Sequence, residues 1–444
     1  MMAQLVSAPL LYAQEESLAV TDGANKPRVI ITTDGELEGN TSFLHYLIYA
    51  NEFETLGLVT GNSFLQQDGG SARYFFLNAI NAYSQVFQNL QKHGSGWPAP
   101  DKLRQLVKNG NLVHAGMNAV GEGKDTPGSD MIADALLQQD SRPIWILAWG
   151  GTDDTAQALY KISKRYPDDL DRVIRKIRIF AVSFQDTQAD SMSSANSNDS
   201  AWWLLRTFPG IFIIQSRQYM AINRQHGPHP YSNDVVFSSY WLNEYIRQKH
   251  GPLGALYPQA SFAEGDALSF LYLLNPELGN PEDPSQGGWG GRYRRSTEYQ
   301  GLWVDASDDN DVWKPVWRWI PQLAWDYAAR MDYCLNDFHE VNHRPVVVLD
   351  TDGSTIEALP GQKLQISASG TTDPDNNNLK YTWWHYMAAG TVNQYVVINN
   401  NYTPDVDFIV PTEPGKTMHL ILEVSDDGNP KLASYRRLII KIKQ

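Results

Sequence analysis

The 444-residue sequence has a single cysteine, Cys334, which excludes an internal disulfide framework and a thiolate metal cluster. Cys334 sits in an aromatic-rich stretch, 325–338, and reads as a core residue rather than a nucleophile. Basic residues are in deficit: 36 Lys and Arg against 50 Asp and Glu leave a formal charge of −14. A protein that grips nucleic acid by its phosphates needs the opposite balance, so that partner class is excluded. No apolar run reaches the roughly 20 residues of a membrane-spanning helix. Internal repeats and long low-complexity tracts are also missing.

What is present is enough apolar sequence for a full core, and more length than one usual domain needs, so two domains are expected. Residues 1–26 hold a short apolar run, 5–13, ending in Leu-Tyr-Ala but lacking a basic start. They read as a leader or partial export signal, which points to a secreted or periplasmic protein.

Residues 27–340 alternate strand-like and helix-like runs. Strands are expected at 28–33, 55–60, 143–149, 177–182 and 211–214, and helices at 42–50, 72–90 and 156–166. That alternation predicts an α/β domain, a parallel sheet wrapped by helices. His343-Arg344-Pro345 reads as a hinge, because proline restricts its own backbone and that of its predecessor. Short strands follow at 346–349, 364–368, 379–386, 395–398, 419–424 and 438–442, with turn-rich pieces at 372–376 and 426–430. This spacing predicts a β-sandwich over 345–444.

Ligands of open parallel sheets bind beyond the carboxyl ends of the strands. Three segments fall there: Thr32-Thr33-Asp34-Gly35-Glu36-Leu37-Glu38-Gly39, Trp149-Gly150-Gly151-Thr152-Asp153-Asp154, and Ala263-Glu264-Gly265-Asp266. Carboxylates so placed suit a hard cation that holds and acidifies water, and they suit helix caps and turns equally well. Gln185-Asp186 and Asn198-Asp199 have two readings, hydrogen bonds to ligand hydroxyls or structural capping. Gly287 to Tyr293 also has two: a glycine-rich loop that turns Trp289 and Tyr293 toward a sugar with Arg292 as polar clamp, or a packed turn.

Several of these motifs resemble one family. Asp34-Gly-Glu-Leu-Glu-Gly39 looks like the aspartate-rich loop of nucleoside hydrolases. Arg28-Val-Ile-Ile-Thr-Thr-Asp-Gly-Glu36, Tyr49-Ala-Asn-Glu-Phe53, Ala148-Trp-Gly-Gly-Thr152, Gln185-Asp186, Gly265-Asp266 and Gly287-Gly-Trp-Gly-Gly-Arg-Tyr293 resemble a secreted bacterial nucleoside-hydrolase-like family sometimes labelled cellulose-binding. Asp373-Pro-Asp375, Trp383-Trp384 and the segment 419–428 are similar to that family's C-terminal module.

The resemblance implies a nucleoside-hydrolase-like sheet with an immunoglobulin-like β-sandwich behind it. It implies Asp34 as general base and calcium ligand, Asp266 as the distant ligand and Thr152 as carbonyl donor. Here the loop departs from the pattern: Glu38 stands at the first position of the following aspartate pair and Gly39 at the second. Losing that carboxylate weakens any Ca2+ site, since affinity follows ligand charge and count. Gly265 stands where some nucleoside hydrolases carry a histidine that protonates the leaving base, so another donor is required. Two functions follow: hydrolysis of an N-ribosidic or saccharide glycosidic bond, or a catalytically inactive protein that binds a sugar-containing small molecule or polysaccharide.

Overall fold

The computed structural model describes residues 26–66, 70–113, 116–186, 198–222, 236–258, 262–274 and 278–444, so the expected leader lies almost wholly outside them. The first domain is built on an eight-stranded sheet: β1 (Arg28–Thr33), β2 (Glu54–Thr60), β3 (Val107–Asn109), β4 (Ile144–Trp149), β5 (Ile177–Val182), β6 (Phe212–Ser216), β7 (Tyr293–Arg295) and β8 (Leu302–Asp305). Their order is β3-β2-β1-β4-β5-β6-β8-β7, parallel except for β7 against β8. Strands β1 and β4 are buried along their whole length because both faces are covered, which is why Val29, Ile30 and Ile31 and all of β4 are apolar. Val29 and Ile31 join one helix layer and Ile30 the other; Trp145, Leu147 and Trp149 divide from Ile144, Ile146 and Ala148 in the same way.

The strand order reverses at β1, which has β2 on one side and β4 on the other. Thr33 is in register with Thr60 and Trp149, so the loops after β1, β2 and β4 emerge side by side. That is the crevice in which open α/β sheets hold ligands. The helix expected at 42–50 begins earlier, at Leu37, and runs to Leu47. Part of the acidic loop is therefore helix, and Glu38 lies in a first turn whose free N–H groups favour negative charge.

The second domain packs two sheets face to face. Its strands are β9 (Thr355–Ala358), β10 (Lys363–Ser367), β11 (Lys380–His385), β12 (Asp405–Ile409), β13 (Thr417–Ser425) and β14 (Ala433–Ile442), ordered β11-β13-β14-β9 and β10-β12. Trp383, Phe408, Leu420, Leu422 and Ile440 fill the space between them. Segments 346–349 and 395–398 were expected as strands. They contribute only isolated bridges at or beside them, Val346 with Thr372 and Asn399 with Asp407.

The seam between the domains is apolar with a polar centre. Tyr386, Ile421, Ala433 and Tyr435 of the sandwich extend the apolar layer that contains Trp289 and Trp319. Asp308, fully buried, accepts from Arg292 Nε at 2.8 Å and Tyr386 Oη at 2.7 Å, and pairs with Arg318 at 3.0 Å. Arg437 of β14 donates to the carbonyl of Gly287 at 3.0 Å and to that of Leu278. This corrects the sugar-clamp reading of the Gly287–Tyr293 loop. Trp289 and Tyr293 are buried, the Tyr293 hydroxyl donates to Ser216 Oγ or the Gly290 carbonyl, each 2.8 Å away, and Arg292 is committed to Asp308. The loop is an interdomain packing turn.

Candidate active site

Asp34 leaves β1 at the crevice, and Gly35, at φ +84°, turns the chain into the following helix. The turn is tied locally: Asp34 Oδ1 accepts from the Glu36 amide at 3.1 Å and Thr33 Oγ1 from the Gly35 amide at 3.2 Å. Asp34 also sits against Gly150, where a Cβ would lie 3.2 Å from the Asp34 Cβ. The other Asp34 oxygen, Oδ2, is buried with no hydrogen-bond partner. Burial pushes this carboxyl above its usual range, against the opposing pull of Ser63 and the Glu36 amide.

Asp266 arrives from the far side of the sequence, at the start of the Ala267–Leu273 helix. Burial raises its carboxyl well above the usual range, and the charges of Glu38, Asp34 and Glu36 add to that in this order. Glu36 is raised to about 7, by burial first and then by Asp34 and Glu38. Four carboxyl groups from two distant segments therefore share one field and resist ionising together. The Tyr219 phenol, beyond β6, feels the same field: burial, then Glu38 and Asp266, raise it and keep it protonated.

The two glycines that depart from the nucleoside-hydrolase pattern are both occupied space. A Cβ on Gly265 would lie 2.6 Å from Glu38 Oε2 and 2.8 Å from Tyr219 Cδ2, so Glu38 and Tyr219 fill the room a side chain at 265 would need. A Cβ on Gly39 would lie 3.3 Å from Asp266 Oδ2 but 2.5 Å from Thr33 Oγ1. A carboxylate at 39 would thus reach toward Asp266, and the Thr33 hydroxyl holds that slot instead.

One face of the Leu37–Leu47 helix fixes the Asp266 turn. Thr41 Oγ1 donates to the Ala263 carbonyl, and His45 Nδ1 lies 2.5 Å from Glu264 Oε2 with both residues fully buried. The Tyr327 ring stacks on His45 at 3.6 Å. With Glu38 against Gly265 one turn earlier, positions 38, 41 and 45 hold the turn along three contacts.

A second acidic group lies across Gly150-Gly151. Asp186 Oδ1 accepts from the Thr152 amide at 2.8 Å, and Asp186 Oδ2 from the Ser200 amide at 2.6 Å. Asp199 caps the Ser200–Thr207 helix through the Ala201 amide. Asp153 accepts from Asn111 Nδ2 at 2.6 Å, and Asp154 from the Asn111 amide and the Thr126 hydroxyl. Burial raises all three of Asp153, Asp154 and Asp186, Asp154 to about 6. Asp186 and Asp199 thus accept from backbone amides, and Asp186 Oδ2 from the Ser200 hydroxyl as well. Gln185 Nε2 donates to the Val182 carbonyl at 2.6 Å, and the Asn198 carbonyl accepts from the Met117 amide at 2.7 Å.

These positions bear on the implied calcium. Asp34, Glu38 and Asp266 are brought together electrostatically, whereas the Thr152 carbonyl accepts from the Ala156 amide at 2.9 Å as the first bond of the Asp153–Arg165 helix. Among the described residues no three His, Cys, Asp or Glu side chains gather closely enough to form a metal cage. With Thr33 in the slot of residue 39, the residues present do not fit a preformed calcium site of the kind the resemblance implies. The sequence motifs single out Asp34, Glu38 and Asp266 but neither Tyr219 nor His45. Tyr219 was within reach, since it follows a strand just as Asp34 does.

Comparison with known proteins bears on the whole chain. Residues 28–293 match the family model described as cellulose-binding Sde182, nucleoside hydrolase-like domain, and residues 363–442 that of the cellulose-binding protein Sde0182, C-terminal domain. Among solved structures, a nucleoside hydrolase-related hypothetical protein from Saccharophagus degradans, described as associated with carbohydrate metabolism, is 30% identical. That match covers 94% of this chain and 100% of the other, with a TM-score of 0.81. The effector protein XOO4466 aligns over 70% of this chain and 95% of its own at 10% identity and a TM-score of 0.39. No curated protein matches.

Proposed function

The chain belongs to the cellulose-binding Sde182 nucleoside-hydrolase-like family, and on that premise we propose that it hydrolyses a glycosidic bond of a sugar-containing ligand outside the cytoplasm. The observation that carries this reading is the shared field of Asp34, Glu36, Glu38 and Asp266 at the carboxyl ends of the parallel strands. Glycosidic hydrolysis needs one carboxylate to take a proton from water and one carboxylic acid to give a proton to the leaving atom. Asp34, with an unpartnered buried oxygen, is assigned the first task. Glu36, half-buried and raised to about 7, is assigned the second. Water adds to the anomeric carbon, its proton passes to Asp34, and the leaving atom departs with the proton of Glu36.

An extracellular site of action is part of the proposal, supported by the cellulose-binding description of the family and by the leader expected at residues 1–26. Among the described residues no helix is long and apolar enough to cross a membrane. A second reading, a carbohydrate binder without catalysis, is favoured by one observation: Thr33 occupies the slot of the missing carboxylate at 39.

The test is release of free sugar from nucleosides and from cellulose and other glucans, with calcium or a chelator added in parallel. Wild type is expected to release sugar with a bell-shaped pH profile whose basic limb lies near pH 7, because Glu36 must keep its proton. Asp34→Asn should lower the rate by roughly 100-fold or more, and Glu36→Gln should remove the basic limb. Wild type that releases nothing from any of them yet sediments with insoluble cellulose would establish the binder instead.

A further inference from the structure

The hinge between the domains holds two histidines outside the acidic site. His93, in the short turn Gln91–His93 after the Gly70–Leu90 helix, and His343, at the entry to the sandwich, are both buried. His93 Nδ1 lies 3.3 Å from His343 Nε2. The outer nitrogens of the pair face groups that accept. His93 Nε2 is 3.0 Å from the Asn336 carbonyl, and His343 Nδ1 is 3.2 Å from both oxygens of Asp375 in a sandwich turn. The His343 amide donates to the same carboxylate at 2.6 Å. Neither ring can swing away: Tyr333 stacks on His93 at 4.2 Å and Phe338 on His343 at 3.8 Å.

Counting protons fixes the behaviour of this contact. A carbonyl and a carboxylate only accept, so each outer nitrogen carries a hydrogen. A neutral imidazole has one N–H, so the two inner nitrogens face each other as lone pairs. A gap of 3.3 Å admits one hydrogen, as an N–H···N bond, and not two. We propose that the pair is an acid-release latch between the domains: docked, it accepts one added proton at most, and undocked, the two rings accept two.

The surrounding groups agree with the sign. Burial lowers both histidines below their ordinary value. Around His93, the Asn336 carbonyl and Asp337 oppose the shift while His343 and Lys92 reinforce it. Around His343, Asp375 and Asp373 oppose the shift and His339 reinforces it. A histidine lowered in the folded state stabilises the fold above the unfolded value, and that contribution is lost as pH falls below it. Acid therefore loosens the seat of residues 373–377 on the hinge.

Amide exchange of the full chain, followed at residues 336–343 and 373–377 from about pH 7.5 to about pH 5 and corrected for intrinsic rates, reads the latch directly. Protection in wild type is expected to fall by up to about tenfold per pH unit below about pH 6.5, the slope of one extra proton taken up on opening. His93→Asn, whose amide does not titrate, should flatten that slope. Protection in wild type that stays level, or a slope that survives in His93→Asn, would overturn the proposal. Should His93→Asn not fold, nitrogen NMR of the wild-type imidazoles decides. The inner nitrogens must gain no more than one proton between them while the hinge stays protected; two independent, complete titrations would overturn it.

Discussion

Asp266→Asn is expected to melt above the wild type at about pH 8 and close to it at about pH 4. Asp266 is buried, and its carboxyl is raised well above the usual range by burial and then by Glu38, Asp34 and Glu36. A carboxyl raised in the folded state contributes stability that is complete below the unfolded value of ~3.9 and is lost as pH climbs through the folded value. Within that window the difference grows by about 1.4 kcal/mol per pH unit. An amide of the same shape neither ionises nor repels its neighbours. The gain should widen steadily from about pH 4 to about pH 8, a cost that wild type bears to keep four acids in one field. Thermal melts of both proteins across this range check it; a variant that melts below wild type at high pH would remove the assigned repulsion.

His45→Phe should be among the damaging substitutions in the first domain, costing about 1–3 kcal/mol. The ring would still stack on Tyr327, but Glu264, with no exposed surface, would lose the nitrogen 2.5 Å from its carboxylate. A buried polar group left without its hydrogen-bond partner costs its full desolvation penalty, more than the intact bond contributes. The double variant His45→Phe, Glu264→Met should therefore recover most of the loss, because neither polar partner remains unsatisfied. If the pair also positions the Asp266 turn, the recovered double variant will have normal stability with altered chemistry at the site. Denaturant melts of the single and double variants, with the sugar-release assay beside them, distinguish structural from positional damage.

Most of the architecture was legible because its signals are local. The apolar runs of β1 and β4 are what strands covered on both faces require, and the regular strand-and-turn spacing after His343 is what a sandwich requires. The early start of the Leu37–Leu47 helix was hidden by its acids: Glu36 and Glu38 read as loop, but negative charge is favoured at a helix N-terminus. The site was half legible. The rule that ligands sit beyond strand ends pointed to Asp34 and Asp266, which share one field across more than half the chain. The same rule cannot distinguish a ligand contact from a cap, and Asp186 and Asp199 both accept from backbone amides. Trp289, Arg292 and Tyr293 were open to two readings for a different reason. An interdomain seam selects aromatic and arginine side chains as a sugar cleft does, and only the placement of the sandwich separates the two.

Asp34→Asn, Asp266→Asn and the double variant, melted in denaturant at about pH 8, form the most direct test of the convergence of distant acids. If the two carboxyl groups share one field, each substitution already relieves the other. The double variant should then gain less than the sum of the single gains, by about 0.5–3 kcal/mol. Gains that add to within about 0.5 kcal/mol would mean that Asp34 and Asp266 stand apart, and the proposed site would not exist.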